Sequence, residues 1–354
     1  MEASVVKTLD EVGLDERDWN RLVACSDTNS VFQTHQWTRS WWTTFSAQYE
    51  LVLVRVSNAS EVVGLAPLVM KRDGSRKRVI RFLGDGRADY CDFLTRDDKR
   101  DVLAAIFRTV FRARWDVMEL NNIPAHSRTL QIVREICSTD GYRMLAEDQF
   151  VCPTLLIEGF EDQARAILNK PSLRRRENYL RRNGRLVCRH LTMKNDIEPY
   201  LDRFFDQHVA RWNNSRSPSL FLDERNRAFY RELTATLAGK GWVVFSDVEF
   251  NDCPIAFHYG FDYGGTMTWY KPSFDVVHAS RSPGLVLVRH LIGYALEQKR
   301  RELDFTVGDE AFKARFTNSR RKTVSIRVYH NPLRFVLDSS TRWAANIVKN
   351  FSSG

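Results

Sequence analysis

Arg281, Ser282, Pro283 and Gly284 form a polar turn directly before a nearly all-apolar segment. Proline suits the first turn of a helix because it lacks an N–H that would have no partner there. That first turn also presents free backbone N–H groups and a partial positive charge, so it can hold an anion. The turn therefore predicts a site for a phosphate-bearing cofactor, although an ordinary capped helix start explains the same residues equally well.

Three side chains on predicted strands are candidates for proton transfer. In the segment CPIAFHYGF, alternation places His258 on the face opposite the most apolar one, and histidine is a natural base near neutral pH. Glu249 on the preceding strand could also act as a base, and Tyr270 could protonate a leaving thiolate. Each has a structural alternative: a hydrogen-bonded histidine, a carboxylate on a solvated strand face and a packed tyrosine.

The most concentrated polar set is Asp309, Glu310 and Lys313, which follows a short apolar strand. Asp309 could take part in catalysis, or it could simply cap the N-terminus of a following helix.

The segment from Lys170 to Arg185 carries seven positive charges, and Glu177 is its one negative charge. On a helix, Arg174 and Arg181 share a face, and Arg175 lies beside Arg182. These arginines could clamp phosphates of a nucleotide or of a polyanionic acceptor. The alternative is a solvated helix face. The net charge of +9 favours anionic partners, including a lipid-linked precursor, tRNA or an anionic membrane surface, and selects none of them.

The predicted elements that position these residues occur in the same order in both halves of the chain. A first strand and two helices precede three strands, and helix, strand, helix and strand follow. In the second half the helix after Pro283 leads through the strand 303–306 into the turn at Asp309 and a further helix. The repeated order predicts two related domains, at 1–160 and 161–335, joined near residues 156–169 and followed by a helical tail at 336–354. That tail could touch a membrane surface or pack back onto a domain.

The turn SPGL, the helix after it and the segment DFTVGDEAFKARF resemble the C-terminal signature of bacterial GNAT-superfamily proteins. The group is associated with cellulose and exopolysaccharide synthesis and is related to Fem-type aminoacyl transferases. The matching positions are Asp304, Phe305, Gly308, Asp309, Phe312 and Lys313.

The resemblance implies an α/β (α+β) fold of tandem GNAT-like domains with mixed, mainly antiparallel sheets. It also implies an acyltransferase that uses acetyl-CoA or another acyl-CoA, with Lys313 contacting the acceptor or developing negative charge. The acceptor would be an amine or hydroxyl on a sugar, an amino acid or a polysaccharide precursor. Two alternatives stay open: tRNA-dependent aminoacyl transfer, and a non-catalytic scaffold of envelope polysaccharide synthesis.

The bulk composition excludes several other classes. The chain has 354 residues with 43% hydrophobic and 27% charged residues, which is typical of globular domains. No apolar run approaches the ~20 residues of a membrane span, and no signal peptide is visible at the N-terminus, so we expect a cytoplasmic protein. The six cysteines lack paired spacing, so neither a metal site nor a disulfide framework is expected. Hydrolase, zinc-protease and P-loop motifs are absent from the sequence, and nothing favours DNA binding.

Overall fold

The structure is a computed structural model, which describes residues 1–72, 77–213 and 218–339. It divides into two compact units. The first consists of residues 1–38, 45–149 and the chain from 322 onward, and the second consists of residues 39–44 and 150–321. The predicted boundaries differ from this division because the last strand of the chain lies mainly in the first unit. Most of the predicted tail at 336–354 lies outside the described residues. The described chain ends in a helical segment, residues 332–339.

The first unit contains two sheets with helices packed on them. In one sheet β1, β3, β4 and β7 pair antiparallel, and in the other β2, β5 and β6 pair antiparallel before β6 pairs parallel with β8. The elements are β1 (Glu2–Val6), α1 (Glu16–Cys25), α2 (His35–Phe45, part of which belongs to the second unit), β2 (Tyr49–Leu51), β3 (Leu53–Asn58), β4 (Glu61–Ala66), β5 (Leu68–Lys71), β6 (Val79–Phe82), β7 (Leu94–Thr95), α3 (Lys99–Phe111), β8 (Val117–Pro124), α4 (Thr129–Thr139) and the first half of β9 (Arg143–Leu156).

The second unit is built around a mainly antiparallel sheet. Strands β10, β11 and β12 pair antiparallel, β12 pairs with both β13 and β14, and β13 pairs parallel with β15. Its elements are α5 (Glu161–Leu168), α6 (Pro171–Asn183), β10 (Leu186–Leu191), α7 (Lys194–Ile197), α8 (Leu201–Trp212), α9 (Glu224–Ala238), β11 (Val243–Phe250), β12 (Cys253–Tyr263), β13 (Thr266–Thr268), β14 (Lys271–Phe274), α10 (Pro283–Glu297), β15 (Glu302–Asp304) and the start of β16 (Ser319–Tyr329), which continues in the first unit.

Helix α10 closes the core of the second unit. Val288, Leu291, Ile292 and Ala295 recur at helical spacing and are fully buried in one cluster with residues of β11, β12 and α6. Burying a side chain of this size contributes about 1.5–3 kcal/mol, so this face holds the helix on the sheet. The start of α10 is thereby fixed relative to the strands.

Three helices are capped at their N-terminus by an aspartate. Asp15, Asp98 and Asp223 each accept a hydrogen bond from a backbone N–H in the first turn that follows. Such a cap satisfies a donor that has no partner within the helix.

Two local predictions are wrong. The third of the three strands predicted in the second half, TMTWYKP, is interrupted between β13 and β14. No α-helix lies between Asp309 and β16; this described segment contains only a single 3-10 turn at Lys313–Arg315. Among the described residues, no helix combines the length and the apolar character that crossing a membrane requires.

Candidate functional site

Two parallel strands separate in the middle of the second unit. β13 pairs with β15 as far as Thr268 and Asp304, and the Trp269 N–H then donates to the Asp304 carbonyl at 2.7 Å. Beyond this point Phe305 donates instead to Pro153, whereas β14 pairs, among the described residues, only with β12. The chain after β15 therefore does not pair with β14, and we call the edge of β14 that lacks a strand partner among the described residues the open edge.

Arg211 of α8 lies along that open edge. Its Nη1 donates to the Pro272 carbonyl at 3.2 Å, and its guanidinium carbon lies 4.1 Å from the centre of the Phe274 ring. Burial lowers the pKa of Arg211 to about 10, and the negative charge of Glu310 partly offsets this effect. A half-buried cation thus lies between the strand edge and the polar turn.

Helix α10 begins beside the far end of β14. Ser282 has φ 54°, and its hydroxyl accepts a hydrogen bond from Arg176 of α6 at 2.6 Å. The Leu285 N–H donates to the Ser282 carbonyl at 3.0 Å, so this amide is already used within its own turn. A Cβ atom added at Gly284 would lie 3.6 Å from the Phe274 ring, which is ordinary contact distance. The helix start therefore adjoins the open strand edge.

The turn 307–313 is held by the buried amine of Lys313. Its Nζ donates to the carbonyls of Val307 and Gly308 at 3.1 and 3.2 Å and lies 2.8 Å from the Glu310 carboxylate. Lys313 is 3% exposed, whereas the Glu310 side chain is 56% exposed. The predicted N-cap role of Asp309 is wrong because no α-helix follows it, and its carboxylate instead pairs with Arg320 at 2.6 Å.

His258 is fully buried and does not line a cleft. Its Nε2 is 3.0 Å from the Thr268 carbonyl, and its ring stacks on Trp269 with centroids 4.8 Å apart. Burial lowers the pKa of His258 to about 3, which keeps the imidazole neutral at physiological pH. The expectation of an accessible base is therefore wrong, and the structural alternative describes this histidine.

Glu249 and Tyr270 also have structural partners. Arg189 donates to Glu249 at 2.7 Å and to the fully buried Asp247 at 2.8 Å, so the two carboxylates share one guanidinium. The Tyr270 hydroxyl accepts a hydrogen bond from the Tyr230 hydroxyl at 3.0 Å and is 5% exposed. Their roles in catalysis stay predictions.

The arginines of α6 divide into two sets. Arg181 donates twice to Glu177, which also pairs with Arg289 and lies 3.3 Å from His290. Arg181 is therefore already paired within the protein and is not available for the predicted phosphate clamp. Arg174 and Arg175 are exposed and line a surface cavity of about 400 Å³.

The helix start adjoins the strand edge, and the polar turn is linked to that edge by the charge of Glu310. Gly284 adjoins Phe274, Arg211 lies over Phe274, the charge of Glu310 acts on Arg211, and Lys313 pairs with Glu310. Sequence reasoning did not single out Arg211 or assign Arg176 to the helix start, since both depend on contacts between elements distant in the chain. Among the described residues, no group of three or more His, Cys, Asp or Glu side chains is placed to hold a metal ion.

Comparison with known proteins agrees with this architecture. Residues 169–314 match the sequence model of a family described as acetyltransferase (GNAT) domain. No curated protein matches the chain.

Three solved structures resemble the whole chain at low sequence identity. The crystal structure of FemX has a TM-score of 0.66 and 10% identity, covering 95% of this chain and 99% of that one. The C-terminal domain of a putative lysylphosphatidylglycerol synthetase from Agrobacterium fabrum has a TM-score of 0.54 and 12% identity, covering 86% and 89%. A tandem GNAT protein from the clavulanic acid biosynthesis pathway has a TM-score of 0.51 and 12% identity, covering 94% and 99%. The predicted fold class is confirmed, and the matched domain supports an acyltransferase.

Proposed function

We propose that the second unit transfers an acyl group, in the simplest case acetyl, from acyl-CoA to an amine or hydroxyl of a small-molecule or saccharide acceptor. The observation that carries this proposal is that Gly284 and Arg211 both adjoin Phe274 of β14, while Lys313 pairs with Glu310, whose charge acts on Arg211. In this proposal the helix start binds the anion, and the polar turn acts at the other end of the same strand edge.

The residues present fit an acyl-CoA. The phosphates would lie at the start of α10, where the helix dipole, Arg281 and Arg176 all favour negative charge. Arg281 lies 5.8 Å from the centre of the Tyr179 ring and 5.7 Å from that of Phe250, which keeps its cation near the turn. The amides of the pantetheine arm would pair with the open edge of β14, as an added strand does.

The thioester supplies an activated acyl carbon. Transfer breaks its C–S bond and forms a C–N or C–O bond to the acceptor, whose proton ends on the thiol. Among the chain's own residues, Glu310 is an exposed carboxylate at the polar turn and would accept the acceptor's proton. Lys313 would orient that carboxylate and neutralise its charge, since its Nζ is fixed by two backbone carbonyls.

Titration calorimetry with acetyl-CoA and longer acyl-CoAs tests the donor site. Gly284→Glu should abolish binding, because it adds a negative charge at the helix start while a side chain at this position meets only ordinary contacts. Gly293→Glu is the matched control, since it lies in the same helix where an added Cβ meets no atom within 4 Å. We expect the control to bind like wild type. Equal affinity of Gly284→Glu and wild type would contradict the placement of the donor.

Calorimetry and a transfer assay together separate the alternative functions. If no thioester binds, a non-catalytic scaffold role is favoured over catalysis. Transfer that needs tRNA and is lost after RNase treatment would favour aminoacyl transfer. The proposals of a saccharide acceptor, an association with polysaccharide synthesis and a cytoplasmic location rest on the sequence resemblance and composition.

A further inference from the structure

Helix α6 presents a surface of cations that the rest of the described chain does not neutralise. Leu173, Glu177 and Leu180 are buried, which turns Arg174, Arg175 and Arg182 outward, and all three are exposed. None of these three has a carboxylate within ion-pair distance among the described residues. We call Arg174, Arg175, Arg182 and the exposed ring of Tyr179 the basic face.

Several exposed arginines elsewhere have acidic neighbours. Arg185 has Asp252 at 2.9 Å, and Arg96 has Glu61 at 2.7 Å. A solvated helix face usually mixes both signs. On α6 the one acidic residue, Glu177, is turned inward and paired with Arg181 and Arg289, so it offers the basic face no compensation.

Two exposed apolar residues belong to the 3-10 segment whose last residue, Arg281, lies by Tyr179 of the basic face. Val276 and Val277 are 51% and 81% exposed in the 3-10 turn before α10. Arg281 connects this turn to α6, because its guanidinium carbon lies 5.8 Å from the Tyr179 ring centre. Tyr179 is itself 49% exposed. Through Arg281, the segment that carries the two valines is therefore linked to Tyr179 of the basic face.

We propose that this surface docks the protein on an anionic phospholipid bilayer. The three arginines bind lipid phosphates, for which the cavity of about 400 Å³ between Arg174, Arg175, Asn178 and Arg182 offers space. Tyr179 lies at the level of the headgroups, and Val276 and Val277 enter the apolar boundary below them. RNA would also attract the arginines, but it gives no reason for two exposed valines beside them. The inference goes beyond acyl transfer and does not depend on it.

Vesicle cosedimentation of the full chain tests the proposal. Wild type should bind phosphatidylcholine vesicles that contain phosphatidylglycerol, and it should not bind vesicles of phosphatidylcholine alone. Binding should weaken as salt screens the exposed charges. The triple variant Arg174→Gln, Arg175→Gln, Arg182→Gln should lose partitioning on the order of 100-fold. Val277→Ser should reduce it several-fold without altering the charge.

The control removes the same charge from another surface. Arg112, Arg114 and Arg143 are exposed in the first unit, so their triple glutamine variant should bind vesicles like wild type. Equal losses in both triple variants would reduce the effect to net charge and overturn the proposal. The proposal would also be overturned if wild type failed to cosediment with the anionic vesicles and instead bound RNA through the basic face. Acyl-CoA affinity of Val277→Ser should stay unchanged while its vesicle binding falls, which separates this inference from the proposed function.

Discussion

Two cations of different origin flank Glu310. Lys313 comes from the same turn and is almost fully buried, whereas Arg211 comes from the end of α8 and is half-buried. Lys313 Nζ lies 2.8 Å from the Glu310 carboxylate and so holds it in position, and a carboxylate in a fixed position can accept a proton from an acceptor. At the residue scale, the chemistry therefore depends on Glu310 and on the two groups that orient it.

Lys313→Met should lower kcat/KM about 100-fold, comparable to the loss of one preorganised polar group in an active site. The variant leaves Glu310 without its ion pair and removes two hydrogen bonds to the carbonyls of Val307 and Gly308. Steady-state transfer from acetyl-CoA measures the effect. Lys299→Met removes an exposed lysine and should behave like wild type. If Lys313→Met kept full activity, the polar turn would have no part in catalysis.

Asp309→Asn tests the other predicted carboxylate of the turn. Its exposed pair with Arg320 contributes about 0–1 kcal/mol, so the fold should tolerate the change. We expect activity within a few-fold of wild type, because the Glu310 carboxylate stays in place. A loss as large as that of Lys313→Met would transfer the proton-accepting role to Asp309.

At the element scale, the interruption between β13 and β14 creates the site. It depends on a close approach behind Trp269: a Cβ atom at Gly260 would lie 2.2 Å from the Thr268 carbonyl and 2.3 Å from His258 Cε1. Only glycine leaves room for the imidazole ring that stacks on Trp269. His258 and Gly260 therefore support the open strand edge from within the core.

Gly260→Ala should destabilise the protein by about 3 kcal/mol or more, because the added methyl group meets a backbone carbonyl that cannot move independently. Urea unfolding followed by fluorescence measures the change in free energy. Gly293→Ala is the control, since that position is open and an alanine in a helix is favourable by about 0.5–1 kcal/mol. Similar stabilities of the two variants would show that the strand interruption relaxes around a methyl group.

At the scale of the whole molecule, each unit contains a carboxylate that is held in its charged form. The contact with His290 and the hydrogen bonds from Arg181 lower the pKa of Glu177 in the second unit to about 2, against the opposing effect of burial. In the first unit burial would raise the pKa of Asp27, but Arg128 and Lys99 lower it to about 2. Both folded pKa values lie below those of the unfolded chain, so both groups stabilise the fold above about pH 4.5.

The free energy of unfolding should therefore fall as the pH drops from about 4.5 towards 2. Glu177→Gln should remove on the order of 2–3 kcal/mol at neutral pH and should flatten this acid dependence. Urea titrations between pH 3 and 7 measure both effects. Glu158→Gln, an exposed carboxylate in the same unit, is the control and should retain the wild-type slope. An unchanged slope in Glu177→Gln would mean that the ion pairs do not hold its pKa down.

The sequence by itself determined most of the order of the elements, the tandem GNAT-like fold and the positions of the helix start at Pro283 and the basic segment. These features depend on local periodicity, on caps and on a contiguous motif, all of which are written along the chain. The tertiary structure alone decided which polar residues have partners. It buries His258, pairs Arg181 with Glu177, and brings Arg176 to Ser282 and Arg211 to Pro272 across 106 and 61 positions of chain. Pairing and burial depend on contacts between distant elements, and residue type and spacing do not specify these.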